Sequence, residues 1–173
     1  PFLFGRGGEE MRFLKANGVP VEVVPGVTAA LGCAAGAGIA LTERGKAQAV
    51  TFVTGHGTQG EPELDWAGLA SLGQTICIYM GLSRLEQLRR RLVAAGLAGT
   101  TPAALIEKGS LPEQRVFRAT LEELPGLAQR HQLEGPAMVL IGEVAREAAS
   151  QIIGESFSFD AARPHFAAEA LAG

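Results

Sequence analysis

The chain has 173 residues, of which 47% are hydrophobic and 19% charged, and its formal net charge is −3. That is material for one ordinary domain or two small ones around a sizeable core, and it excludes a disordered chain. It also excludes two classes of partner: no basic stripe interleaved with aromatics marks a nucleic-acid surface, and no apolar run approaches the ~20 residues that cross a bilayer.

The first residues, Pro1-Phe2-Leu3-Phe4-Gly5, form an apolar run with no methionine, no basic region and no long signal-peptide core. The pattern reads as the inside of a structure, so the expectation is a start within a domain, and a cytoplasmic chain. Glu9 to Asn17 has helical character, with Met11 and Leu14 spaced i, i+3 and Gly18 as the stop. Val19 to Val24 is β-rich and ends at Pro25-Gly26, which predicts a short strand. A small-residue helix follows from Thr28 to Ala37, with Thr28 as its N-cap. Gln48 to Thr54 predicts a strand, Gly55 to Glu63 a Gly-rich loop, and Asp65 to Ser71 a short helix. Thr75 to Met80 predicts a buried strand. Ser83 is placed to cap a longer helix reaching Ala95, with Leu85, Leu88 and Leu92 on one face; Arg89-Arg90-Arg91 reads as that helix's solvated side. Pro102 to Glu107 and Gln114 to Thr120 are strands with no helix between them, hence a hairpin. Leu121 to Arg130 predicts a helix and Ala137 to Ile141 the last strand. The Ala-rich tail from Ala145, with Phe157 and Phe159 alternating with serines, has no clear assignment. Strands alternating with helices define an α/β protein with a mixed sheet.

Cys33 and Cys77 sit in apolar segments without metal-ligand spacing and read as buried free thiols of a reducing compartment. His56, His131 and His165 are isolated in sequence, which argues against a zinc site. Glycines follow the strands at Gly26, Gly55, Gly81, Gly109 and Gly142. In an open α/β sheet, ligands sit beyond the carboxyl ends of strands, where glycine lets them approach the backbone; each such glycine is equally an ordinary turn residue. Gly5-Arg6-Gly7-Gly8 before a helix could nest a phosphate, but Glu9 and Glu10 in the first turn would repel one and suit the helix dipole instead. Arg6 is open to two roles, a salt bridge to Glu9 or Glu10 or a hold on a ligand carboxylate. Asp65 and Glu107 have no sequence partner that marks an acid/base pair, and no catalytic residue is identified.

Several motifs carry a resemblance. Pro1-Phe2-Leu3-Phe4-Gly5-Arg6-Gly7-Gly8-Glu9-Glu10, Val23-Val24-Pro25-Gly26-Val27-Thr28-Ala29-Ala30 and Gly38-Ile39-Ala40-Leu41-Thr42-Glu43-Arg44-Gly45 occur in that order. Val53-Thr54-Gly55-His56, Leu64-Asp65-Trp66, Tyr79-Met80-Gly81 and Gln114-Arg115-Val116 follow. As an ordered set they resemble the uroporphyrinogen-III C-methyltransferases, which are tetrapyrrole methylases. The resemblance implies two α/β domains with S-adenosyl-L-methionine folded into the cleft between them. Residues 1–44 would end the first domain, which is then incomplete; 45–144 would form the second, and 145–173 a tail. It implies cofactor contacts at Leu3, Thr28, Ala29, Met80, Gly109 and Ala137, and substrate carboxylate contacts at Arg6 and Arg44. It also implies a homodimer, no metal, and two methyl transfers to uroporphyrinogen III that give precorrin-2, on the route to sirohaem and cobalamin. A methylase of a later precorrin, and a non-catalytic fragment that only dimerises, are the alternatives. Glu43, Ala40 and Gly36 depart from the family's usual His, Pro and Tyr. The family's Gly-rich first loop, its proposed acid/base residues and its Gly-Gly-Asp have no counterpart in these 173 residues.

Overall fold

A computed structural model describes residues 1–57, 60, 62–71, 73–148 and the backbone of 151–152. Phe157 and Phe159 of the unassigned tail lie outside these residues. The elements run α1 (Gly7–Ala16), α2 (Ala29–Gly36), β1 (Val50–Thr54), α3 (Trp66–Ser71), β2 (Thr75–Tyr79), α4 (Leu85–Ala94), β3 (Pro102–Glu107), β4 (Arg115–Thr120), α5 (Leu124–Arg130), β5 (Ala137–Ile141) and β6 (Gln151–Ile152). Short 3₁₀ turns lie at Leu82–Arg84 and Glu143–Glu147.

The strands form one mixed sheet in the order β1-β2-β5-β3-β4-β6. β1 and β2 are parallel, and β5 runs antiparallel to both of its neighbours, β2 and β3. The expected hairpin is present, with Pro102 opposite Thr120 and Glu107 opposite Arg115.

The central strands are apolar at nearly every position because both sheet faces are covered. Side chains alternate sides along a strand. Ile76, Ile78, Ala103, Leu105, Val139 and Ile141 point to one face, into a core with Leu85, Leu88 and Leu92 of α4 and Leu124 and Leu127 of α5. Cys77, Ala104, Ile106, Met138 and Leu140 point to the other, where Ala30, Cys33 and Ala34 of α2 pack with Val144 and Ala145. The small side chains of α2 let its backbone lie close to the sheet. The leucine stripe of α4 is buried as its spacing predicts. Its solvent side carries Arg89 paired with Glu86 and Glu122, and Arg90 with Glu86.

Three local expectations fail for physical reasons. Val19 to Val24 forms no strand: among the described residues no neighbour offers it a ladder, and Val24 is 74% exposed. An isolated strand cannot satisfy its backbone groups in pairs. Ser83 does not cap α4, because Leu82–Arg84 form a 3₁₀ turn and Arg84 takes the cap position without a side-chain bond. The helix after β4 begins at Leu124 rather than Leu121. Leu121 instead donates its N–H to Thr101 (2.8 Å) and is buried. α1 forms as expected, yet Phe13 and Leu14 on it are exposed.

Both cysteines are buried free thiols. Burial, with the neighbouring Cys33 adding to it, pushes the Cys77 thiol up to about 12. Thiolate is the reactive form. Alkylation of Cys77 by a maleimide at pH 8 is therefore expected to follow the rate of unfolding in a urea series; labelling as fast in the native chain as in the denatured one would contradict this packing.

Candidate functional site

The strand directions bring the candidate residues to one sheet edge. β1, β2 and β3 all run toward it, and β5 starts there, since Glu107 at the end of β3 is opposite Ala137 at the start of β5. Met80, Gly109 and Ala137 therefore share this edge. Met80 has φ 54° and Lys108 φ 50°. Side-chain-bearing residues in the left-handed region carry backbone strain, and such strain concentrates at functional sites. Met80 leaves the strand by this turn and stands 52% exposed.

Two open grooves flank the edge. The larger, about 830 Å³, lies on the α4–α5 side and is lined by Met80, Leu82, His56, Glu86 and the Leu133–Ala137 segment. The smaller, about 550 Å³, lies beside α2 and is lined by Leu3, Pro25, Gly26, Thr28, Ala29 and Tyr79. Leu3, Thr28 and Ala29 thus share one groove, and Met80 and Ala137 share the other. Gly109 lines neither: a Cβ there would collide with Cys33 Sγ, so it is glycine because α2 lies against it.

Tyr79 joins the two groups, and only the Tyr79-Met80-Gly81 motif pointed toward it in the sequence. Thr28 has the extended backbone of an N-cap, but its hydroxyl makes no cap bond to α2. It shares a 2.6 Å hydrogen bond with the Tyr79 hydroxyl instead. The Ala30 N–H donates to that same Tyr79 oxygen at 3.0 Å, so a side chain from β2 caps the helix. Phe4 tilts against the Tyr79 ring at 4.9 Å, and Phe52 meets it edge-on at 6.1 Å. Tyr79→Phe removes both hydroxyl bonds and is expected to cost about 1–2 kcal/mol in urea denaturation. An unchanged midpoint would show that the cap does not stabilise α2.

The glycines after the strands separate into two kinds. An added Cβ would meet Gly81 Cα at 2.7 Å from Gly55, Ile78 Cγ2 at 3.0 Å from Gly81, and the Gln74 carbonyl at 2.9 Å from Gly142. Gly55, Gly109 and Gly142 are thus required by packing, and Gly81 sits tightly against the ends of Ile78 and Leu88. Gly26 alone among the five faces open space, within the α2 groove. Gly36 also has a packing reason: a Cβ would lie 2.7 Å from Gln114 Oε1. Gln114 ties the β3–β4 turn to α2, accepting from the Ser110 N–H (2.8 Å) and donating to the Gly36 carbonyl (3.0 Å).

Neither carboxylate that looked unpartnered in sequence is so. Asp65 Oδ1 accepts from the Gly68 N–H at 3.0 Å and caps α3. Glu107 is 1% exposed and ion-paired with Arg115. Arg115 Nε donates to Glu107 Oε2 at 2.7 Å, and the N–H groups of Glu134 and Gly135 donate to Oε1 at 2.9 and 3.1 Å. Burial pushes the Glu107 carboxyl up, but the Gly135 N–H, Arg115 and the Glu134 N–H together hold it below the usual carboxylate range.

Arg6 pairs with Glu9 at 2.7 Å on the surface. The N–H groups of Gly7, Glu9 and Glu10 bond to the Pro1 and Arg6 carbonyls, which fills the possible phosphate nest. Arg44 is exposed, in the Glu43–Ala47 turn. That turn lies at the opposite edge of the sheet, beside the start of β2, where the Thr75 hydroxyl donates to the Leu41 carbonyl at 2.8 Å. Among the described residues no His/Cys/Asp/Glu cluster is fit to hold a metal, and no helix is long and apolar enough to cross a membrane.

Comparison with known proteins supplies the context. The family profile of the tetrapyrrole (corrin/porphyrin) methylases matches residues 1–125. The chain is 52% identical over 146 residues to a sirohaem synthase of Azotobacter vinelandii, covering 84% of this chain and 32% of that protein. The chain thus spans about a third of that relative's length. Among solved structures, the uroporphyrin-III C-methyltransferase of Thermus thermophilus complexed with S-adenosylhomocysteine superposes with a TM-score of 0.72 at 37% identity, covering 84% of this chain and 63% of that one. A cobalt precorrin-4 methyltransferase superposes with a TM-score of 0.77 at 28% identity, covering 84% and 61%. With its mixed sheet, its strand-end glycines and a match over most of its length, the chain belongs to the tetrapyrrole (corrin/porphyrin) methylases.

Proposed function

We propose that the chain is part of an S-adenosyl-L-methionine-dependent C-methyltransferase that converts uroporphyrinogen III to precorrin-2. The observation that carries this reading is the 37% identity and 0.72 TM-score to a uroporphyrin-III C-methyltransferase complexed with S-adenosylhomocysteine. Higher identity favours it over a later precorrin as substrate, although the cobalt precorrin-4 enzyme superposes slightly better. We place residues 1–44 in a first domain and 45–144 in a second, with a homodimer as the working assembly and the cytoplasm as its location.

The residues present fit such a cofactor. Apolar Leu3, Met80 and Ala137 suit its uncharged surfaces, and Gly26 leaves its backbone open to close approach. The sulfonium supplies a methyl group that is already activated. The protein's contribution is then alignment and exclusion of water. Leu3, Thr28 and Ala29 would hold it from the α2 side and Met80 and Ala137 from the other, with Gly109 at the same edge. Arg6 and Arg44 are the proposed partners for substrate carboxylates. Because they lie on different parts of the molecule, they would serve different carboxylates of a polycarboxylate ring.

Gly26→Ala tests the reading, since the added Cβ meets nothing within 4 Å. Calorimetry is expected to show S-adenosylhomocysteine binding by the chain and at least tenfold weaker binding by the variant, with an unchanged melting temperature. Equal affinities would remove the α2 groove from the cofactor site. No binding by either would favour a non-catalytic fragment. Transfer of two labelled methyl groups to uroporphyrinogen III separates the proposed reaction from that on a later precorrin.

A further inference from the structure

The larger groove has one wall made of a turn rather than of a regular element. Leu133 to Ala137 connect α5 to β5 and line it. A turn has no ladder of its own, so something else must fix its position. The bonds converge on the ends of β3 and β4. Glu107 Oε1 accepts the N–H groups of Glu134 and Gly135, at 2.9 and 3.1 Å. Its other oxygen is held by Arg115. Arg115 Nη1 also reaches the His131 carbonyl at 3.3 Å, and the Lys108 N–H donates to the Pro136 carbonyl at 2.8 Å. The His131 ring packs on Phe117 at 4.5 Å, and the Arg115 guanidinium lies over the same Phe117 ring at 5.6 Å. The His131 and Leu133 N–H groups tie the start of the turn back to α5, and the Lys108 N–H holds Pro136; between them, Glu134 and Gly135 are held by one buried carboxylate and its arginine.

An ion pair kept only for stability has no need of this arrangement. Buried pairs are often replaced by apolar residues at no loss. Here Oε1 is spent on two consecutive backbone N–H groups at the groove's lip. A carboxylate accepting two N–H bonds fixes both distance and direction, because charge-assisted bonds are short and strong. A displacement of about 1 Å in such a wall is enough to weaken a fitted ligand markedly.

We infer that Glu107, oriented by Arg115, is a positioning residue for the larger groove: it holds the 131–136 turn at the distance that the ligand requires. The inference rests on the cofactor reading above for the identity of that ligand, but its mechanical half does not. Glu107→Gln keeps the side chain's volume and removes its charge. Ile141→Val, at the far end of β5, serves as a control of similar thermal destabilisation. Amide hydrogen exchange and S-adenosylhomocysteine calorimetry are run on all three chains, well below their melting temperatures. In Glu107→Gln the Glu134 and Gly135 amides are expected to exchange at least tenfold faster, and S-adenosylhomocysteine to bind about tenfold more weakly. In Ile141→Val neither is expected to change beyond twofold. Should Glu107→Gln not fold, Arg115→Lys keeps the charge, loses the contact to His131, and is expected to show both effects at about threefold. Unchanged exchange at Glu134 and Gly135 overturns the tether, whatever the ligand. Faster exchange with unchanged affinity, in a chain that binds S-adenosylhomocysteine, overturns the positioning role. No binding by the parent chain, with exchange altered as expected, overturns the cofactor reading and the ligand half together, and leaves the tether standing as a structural fact.

Discussion

Replacing Arg115 with Met is expected to destabilise the fold by about 3–5 kcal/mol at neutral pH, because it strands a carboxylate from which water is nearly absent. Glu107 would keep its two N–H donors and lose the positive charge paired with it. The pH dependence identifies the cause. In the parent chain, burial raises the Glu107 carboxyl, and its N–H and Arg115 contacts more than reverse this, so its folded pKa lies below the unfolded one. A group of that kind contributes stability above its unfolded pKa and loses it as pH falls through the ordinary range to the lowered value. A protonated Glu107 has little use for Arg115. The gap between parent and Arg115→Met should therefore be widest near neutrality and narrow in acid, as Glu107 becomes protonated in both chains. Urea denaturation across pH measures it. A gap that stays constant would mean that the variant acts through lost packing on Phe117 rather than through charge.

Gly109→Ala is expected to cost about 3 kcal/mol, near the upper end of what overpacking usually costs. One methyl group is enough because it would collide with Cys33 Sγ and arrive 3.2 Å from Cys33 Cβ. The Gly109 backbone is not in the left-handed region, so the cost is steric alone. Cys33 belongs to α2 and is itself buried, so relief requires its sulfur to turn within the core or α2 to shift from the sheet. Combining it with Cys33→Ala removes the sulfur and should restore most of the loss, a coupling well above the few tenths of a kcal/mol found between independent sites. Thermal melts of the two single variants and the double variant give the coupling. Additive losses would show that the contact does not limit how closely α2 approaches.

The two predictions concern residues that the sequence presented quite differently. The leucine spacing on α4, the five apolar strands and the hairpin from Pro102 to Thr120 are local patterns, and local patterns fix which face of an element is buried. Those elements formed within two residues of expectation. Val19 to Val24 has the same β-rich composition, yet composition supplies no partner strand. Ser83 has the chemistry of a cap, but the 3₁₀ turn starting at Leu82 moves the helix start past it. At the site, the strand-end positions were legible because the order of strands and glycines is written along the chain. Glu107 was not, since its partners Arg115, Glu134 and Gly135 are brought to it by sheet register and a turn. Tyr79 likewise acts on Thr28 and Ala30, about fifty residues earlier, and no spacing rule joins them.

The place of β5 has a consequence for how the molecule can be made. β2 and β3 never touch as strands; β5 stands between them and pairs with both. A chain emerging from the ribosome has completed β1–β2 and β3–β4 before residue 137 appears. Until then it carries two separate ladders, each ending in a bare edge. Those edges, Thr75–Tyr79 and Pro102–Glu107, are the most apolar strands of the fold apart from β5 itself. Unpaired edges of this kind recruit other chains. The nascent protein is therefore most exposed to misassembly during synthesis of the α5 segment, when each half waits for the strand that joins them.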